Sequence, residues 1–510
     1  MIRSTKLLLP LLLSRFPLYL RKKSAGCRCN PTVWTHLFIN FILETRLAMR
    51  RHFTDIKDAR LLKRSNLILD SLFHNCVHSI RQLTQNDSQC KAVYRFLQNH
   101  RVSESTLIKN MSSNCSALCE DKTVLCIQDT SEVNLYTHKN RVKKDESIGT
   151  TNAAKGGIGF LLHPGFVIDA YSGVPYGFSD VKIWNRPLEQ PTKQERNYNL
   201  LPIEEKESYK WIASSQKSKE VLHQAKKVII IQDREGDIYE QFAVVPDQKT
   251  ELLVRARANR TLLNKVKLFD FIANEPLKGT YTIPLEGDKR RNIKKREATL
   301  EVRFSAVTIQ KNDLVSKHAP QSIDLYIIEA KEIGAAIDNP ICWKLLTTIK
   351  VTDLDTALQC IEWYTCRWII EEVFRILKKE GFNIEASELG SAKAIRKLSL
   401  MMMETIVKLF LMQIAYNMPE ERIEARSCFS DQEQECLEHQ IIKLEGKTEK
   451  LKNPYREKDL KRYVWAMARL AGWKGYASGR KPGITTFAIG IQKFAAIMQG
   501  WQLFIDGSTR

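Results

Sequence analysis

Two aliphatic runs that each close on an aspartate, Val124-Leu-Cys-Ile-Gln-Asp129 and Val228-Ile-Ile-Ile-Gln-Asp233, constrain the fold of this 510-residue chain more than any other feature. A short, continuous, largely β-branched run bounded by polar residues is the pattern of a strand buried on both faces. Such strands belong to parallel or mixed sheets covered by helices, and an aspartate at their end is held rigidly yet stays reachable. A single strand-end aspartate is more often a turn or helix-capping residue than a catalytic one.

A third acid follows on a helix. Tyr364, Arg367, Glu371 and Lys378 keep the spacing Y-(2)-R-(3)-E-(6)-K. At about 100° per residue these offsets fall within roughly 60° of one another, so a phenol, two cations and a carboxylate share one face. Glu372, about 100° round from Glu371, should point elsewhere. On a solvated helix the same residues would form only surface ion pairs, such as Arg367 with Glu371 at i,i+4. After two acid-terminated strands the face suits phosphate and metal. Phosphodiester cleavage needs an activated oxygen nucleophile, charge relief at phosphorus and help for the leaving oxygen, which two divalent ions about 3.5 to 4 Å apart supply. Carboxylate oxygens from Asp129, Asp233 and Glu371 point to Mg2+ with Mn2+ as a substitute, two ions per site, and the absence of histidine and cysteine from the set disfavours zinc.

The order Asp129, Asp233, Glu371 with Y-R-E-K around the glutamate resembles the DDE transposases of the insertion-sequence-four family, the family of the Tn-five element. Further resembling segments are Asp58-Ala-Arg60-Leu, Tyr94-Arg95-Phe, Glu205-Lys-Glu-Ser208-Tyr-Lys-Trp211, Asp233-Arg-Glu, Trp343-Lys-Leu-Leu and Ala468-Arg-Leu-Ala-Gly-Trp473, in family order from about residue 50 onward. The resemblance implies an α/β fold with a ribonuclease-H-like mixed-sheet catalytic core over 119–415 and a β-rich insertion at about 248–350. A helical DNA-binding domain over 49–118 would precede the core, and a linker and helical dimerisation domain over 416–510 would follow it. Asp129, Asp233 and Glu371 would hold the metals, with Asp129 as the bridge. Arg367, Lys378 and Tyr364 would grip DNA phosphates, and Arg60, Arg64 and Arg95 would bind the element's ends. Arg255 would lie beside the DNA, and Trp343 would stack on a flipped base, for which a buried core tryptophan is the rival role. The implied activity is cut-and-paste transposition. A homodimer pairs two terminal inverted repeats, nicks one strand, forms and reopens a hairpin, and joins the 3′ ends to target DNA. A nuclease of the same fold without strand transfer and an inactive DNA-binding inhibitor are the alternatives.

Composition agrees with a nucleic-acid partner. The net charge of +21 and a pI near 9.4 call for a polyanion. The length suggests roughly three separate modules. Twelve cysteines without paired C-x-x-C spacing fit a reduced cytoplasmic protein, which the resemblance implies is bacterial, and Cys115 with Cys119 lacks the partners of a zinc site. Gly156-Gly-Ile-Gly159 lacks the Gly-Lys-Ser/Thr of a phosphate loop and reads as a turn into a strand.

Along the chain, Thr54 to Asn110 is helical and basic, and strands follow near 159–170 and 174–184. A helix runs from about Glu204 to Ala225, with Asp237 capping the next one. Lys289 to Arg296 is a solvated hairpin tip or a DNA contact. Residues 392–418 are apolar around much of the helix, and 420–461, charged and weakly periodic, read as a linker or mobile arm. Amphipathic helices return over 463–504.

Near the start, Lys6 is followed by a leucine-rich stretch that resembles a signal peptide, but prolines, Arg15 and Arg21-Lys-Lys23 leave nothing near the ~20 residues that span a bilayer. Residues 1–48 match no family segment and read as an extension. A chain starting at Met49 is therefore expected to express in soluble form and to bind DNA like the full chain in a gel-shift assay; loss of folding or binding would make the extension integral.

Overall fold

The computed structural model describes residues 52–508 apart from 144, 152–156, 189–197, 199–200, 286–295, 314, 316, 335–339, 380, 419–421 and 477–480. The chain opens with helices α1 (Ala59–Asn75), α2 (Ile80–Leu83), α3 (Asp87–Gln98) and α4 (Glu104–Ser116). Their starts follow from capping side chains that satisfy otherwise orphaned N–H groups: Asp58 accepts from Arg60 and Leu61, Asn86 from Gln89, and Ser103 from Thr106.

Next come β1 (Thr123–Gln128), β2 (Ser131–Asn134), β3 (Gly149–Thr150), β4 (Ile158–Asp169), β5 (Pro175–Trp184), α5 (Tyr209–Val221), β6 (Lys227–Gln232), α6 (Tyr239–Val244) and β7 (Thr250–Arg255). The order in the sheet is β2-β4-β1-β6-β7, with β3 and β5 paired on β4. β1, β6 and β7 are parallel, and β4 runs antiparallel to β1. This is the mixed α/β core expected from the two acid-terminated strands. Period-two alternation sends their side chains to opposite faces. Leu125, Ile127, Ile229 and Ile231 enter one apolar core, while Val124, Cys126, Val228 and Ile230 enter the other with Ile212, Tyr239 and Phe242.

After α7 (Leu268–Asn274), strands β8 (Gly279–Leu285), β9 (Arg296–Gln310), β10 (Ser322–Ile333) and β11 (Cys342–Thr347) form an antiparallel array. The β-rich segment is not a separate body: β11 pairs with β7 and extends the core into one 11-stranded sheet. Arg296, at the end of the basic hairpin, forks onto Glu332, and the rest of that hairpin lies outside the described residues.

Helices α8 (Leu354–Thr365), α9 (Trp368–Lys378), α10 (Ala392–Asn417), α11 (Asp431–Leu444), α12 (Leu460–Leu470) and α13 (Ile484–Ser508) complete the chain. α10 is long and apolar enough to cross a membrane, yet 94% of its apolar window is buried inside the protein. Met401, Met402 and Met403 sit in the core, as their all-round apolar context implied. Its polar residues address the N-terminal helices: Arg396 pairs with Glu104 at 3.6 Å, Lys397 donates to the Asn99 carbonyl at 2.8 Å, Glu404 accepts from Asn114 at 3.1 Å, and Lys408 approaches Asp70 at 3.9 Å. The N-terminal helices thus share a core with the rest of the chain, where separate modules were expected.

Two local expectations are corrected. Residues 420–461 are no simple arm, because α11 starts at a Ser430/Glu433 capping box, buries Cys436, Leu437 and Ile441, and holds Arg462 through Glu438 at 2.7 Å. Its narrow apolar stripe is hidden in sequence by the charges on its exposed faces. Asp237 does not cap α6. Its fully buried carboxylate accepts from the backbone N–H groups of Arg257 and Ala258 and from Arg260 at 2.6 Å, pinning the loop after β7. Because α10 is packed on every side, Met402→Ala should cost about 2–5 kcal/mol in denaturant unfolding, as a buried large-to-small change does.

Candidate active site

Extending the β1–β6 register, in which Ile127 faces Ile231, places Asp129 beside Asp233 at the ends of two neighbouring parallel strands. α8 and α9 cross this end of the sheet. They are not one uninterrupted α-helix, as the Y-R-E-K spacing assumed. Between Trp363 and Ile370 the bonds tighten to i→i+3: Cys366 to Trp363, Arg367 to Tyr364, Ile369 to Cys366 and Ile370 to Arg367. Cys366 and Arg367 keep right-handed helical dihedrals, so the four motif residues still converge on the strand ends.

Arg367 lies at the centre, with only 3% of its side chain exposed. One guanidinium nitrogen donates to Glu371 at 2.8 Å and another stands 3.6 Å from Asp129, while the guanidinium covers the Trp368 ring at 4.6 Å. The buried Tyr364 hydroxyl donates to Asp233 at 3.2 Å. Burial first, and then the Asp233 charge, push that phenol well above its ordinary value, so it remains a neutral donor. Arg255 approaches Asp233 at 4.0 Å. Lys378 donates to Ser131 at 3.3 Å and pairs with Glu385 at 3.5 Å. Ser131 could have been suspected from its place two residues after Asp129; Glu385, beyond the motif, carried no sequence signal. Glu372 points away, forking onto Arg375, as its angular offset required.

Trp343 is buried, 5% exposed, with its ring tilted at 67° to Tyr364 at 5.9 Å. This placement, within the apolar core, is in keeping with the packing role. Arg60 and Arg95 are exposed on α1 and α3, and Arg64 is half-buried one turn after Arg60.

The electrostatics show what the site lacks. Burial pushes the Asp129 carboxyl up to about 7; Arg367 opposes this, and the Asp233 and Glu371 charges add to it. Three converging carboxylates are answered by the buried Arg367 guanidinium and, at the edge of Asp233, by Arg255, a donor set made of hard oxygens. In kind and charge it fits a divalent cation. As the side chains lie, no three acid, histidine or cysteine groups among the described residues are close enough to hold one ion, and Arg367 stands between Asp129 and Glu371.

Residues 51–102 match the transposase DNA-binding family and residues 212–403 match the transposase DDE domain. These two matches support a DDE-class DNA transposase. The first segment contains Arg60, Arg64 and Arg95, the second contains Asp233, Arg255, Trp343 and the whole Y-R-E-K motif, and Asp129 precedes it. Transposase DDE domains generally use divalent metal ions. Among solved structures, the chain is similar to a cryo-EM structure of piggyBac transposase in a synaptic complex with hairpin DNA. The identity is 9%, 83% of this chain and 76% of that chain are covered, and the TM-score is 0.29.

A carboxyl whose folded pKa is raised from 3.8 to about 7 contributes stability at low pH that is lost as the pH rises through 7. Asp129→Asn should therefore raise the melting temperature measured in EDTA at pH 8, with the gain shrinking toward pH 5. An equal gain at both values would place the stabilisation elsewhere.

Proposed function

We propose that this chain is a cut-and-paste DNA transposase whose metal-dependent strand cleavage and transfer are carried out at Asp129, Asp233 and Glu371. The observation that carries the reading is the convergence of these acids, from β1, β6 and α9, around one buried arginine, within a chain that carries transposase DNA-binding and DDE segments. The three carboxylates would hold Mg2+, with Mn2+ as a substitute. Bound there, divalent ions supply a hydroxide nucleophile at neutral pH and stabilise the charge that develops at phosphorus.

The chain's own residues do the rest. Arg367 offsets the repulsion between Asp129 and Glu371 and keeps the site assembled before substrate arrives. Tyr364 fixes the Asp233 carboxylate by donating to it. Lys378 and Arg255 are more exposed than Arg367, which supports a role in taking DNA phosphates, where a point charge and a planar fork would hold the strand for in-line attack. Arg60, Arg64 and Arg95 would bind the element's ends. A homodimer would pair two of them; exposed Leu503 and Phe504 on α13 support a pairing surface at that end of the chain.

The test uses plasmids carrying the gene's own flanking DNA. Alanine at Asp129, Asp233 or Glu371 should remove Mg2+-dependent excision while end binding stays within a few-fold. Glu372→Ala, which breaks a buried ion pair, should lower stability instead. Near-normal cleavage by Glu371→Ala would defeat the assignment, and cleavage without joined products would favour the nuclease. Arg64→Ala or Arg95→Ala should cost about 1–3 kcal/mol on the end sequence if the side chain forks onto a guanine, or flatten the salt dependence by about 0.9 log units per lost phosphate contact.

A further inference from the structure

Behind the carboxylates, on the opposite face of the sheet, lies a sealed polar network. Gln128 and Gln232 immediately precede Asp129 and Asp233, so their side chains point to the other face, into the apolar layer beneath α5 and α6. Both are fully buried, as are Ser215, Ser218 and Gln241 around them. The Gln232 amide donates across the strands to the Gln128 carbonyl oxygen at 2.7 Å and also to Ser215 at 3.1 Å. Ser215 donates to the same Gln128 oxygen at 3.2 Å, and the Gln128 amide reaches Ser218 at 3.4 Å. Gln241 donates to the Gln232 oxygen and, at 2.9 Å, to the carbonyl of Gly236 in the turn that follows Asp233.

The backbone is shaped for this network. A Cβ at Gly236 would stand 2.3 Å from the Gln232 amide oxygen, and one at Gly165 would stand 2.6 Å from Ser179, which bonds Ser218 at 2.9 Å. Polar groups buried this deeply cost free energy unless each finds a partner, and an apolar pair would pack this layer without that demand. The backbone ladder sets the register and separation of β1 and β6, and a directional side-chain bond across them adds a constraint on the strand ends that apolar contact lacks.

We propose that Gln128 and Gln232 are positioning residues, whose cross-strand amide bond braces the strand ends that carry Asp129 and Asp233 and so tunes the affinity of the site for divalent metal. This rests on the reading of those aspartates as metal ligands. The probe is Mn2+, titrated without DNA and followed by electron paramagnetic resonance, alongside cleavage, end binding and thermal unfolding. Gln128→Met, Gln232→Met and the double variant keep side-chain length and remove the amides. Ser215, Ser218 and Gln241 lose bonds in the exchange, so some loss of stability is expected, which thermal unfolding reads separately from Mn2+ affinity. The expected result is a folded double variant with end binding intact, in which half-saturation by Mn2+ rises about 10- to 100-fold and cleavage falls in step. Wild-type Mn2+ affinity in the folded double variant would overturn the proposal. Should the methionine variants not fold, Ser215→Ala removes one hydroxyl that joins the two glutamines: a several-fold weaker Mn2+ affinity supports the proposal, and unchanged affinity overturns it. The underlying reading fails separately, if Asp129→Asn and Asp233→Asn bind Mn2+ and cleave as the wild type does.

Discussion

A guanidinium removed from water is stable only if its charge is answered, and Arg367 is answered by acids from a strand end and from its own helix. Its desolvation would cost several kcal/mol if it stood alone. Placed between Asp129 and Glu371 and laid on Trp368, it offsets part of the repulsion of three carboxylates and is held by them in turn. The tightened turn between α8 and α9 brings its backbone to this position. Without that ion cluster, the strand ends and the helix would have no common charge to meet around.

The rest of the architecture fixes what meets there. Parallel pairing of β1 with β6 sets the two aspartates side by side, and apolar packing of α9 on that face sets the height of Glu371. The β-rich segment joins the same sheet through β7, so Arg255 at the end of β7 and Asp233 after β6 belong to one continuous surface. α10, buried along its length, carries the N-terminal helices on its polar positions and the C-terminal helices on its apolar ones.

Much of this was legible in the sequence because the signals were local. The two aliphatic runs gave buried parallel strands, and an i,i+4 spacing brought Arg367 to Glu371. Other features depended on tertiary partners. That Trp343 lies against Tyr364 could not follow from its own strand, which alternates equally well either way. Asp237 had the local appearance of a helix cap, but a half-buried Arg260 from a later loop took its carboxylate. The stripe of α11 was submerged in charge, and Glu385 reached Lys378 only because the chain turns back beyond α9.

The four polar contacts from α10 to the N-terminal helices have a consequence for how such a protein would read DNA. A recognition element bolted to the cutting element cannot swivel to follow its substrate. B-form DNA advances by roughly a tenth of a helical turn per base pair, so a single inserted base pair would rotate the scissile phosphate away from the carboxylates as well as displace it. The chain would then measure its substrate as a ruler does, the span from bound sequence to cut being held by the contacts between α10 and the N-terminal helices.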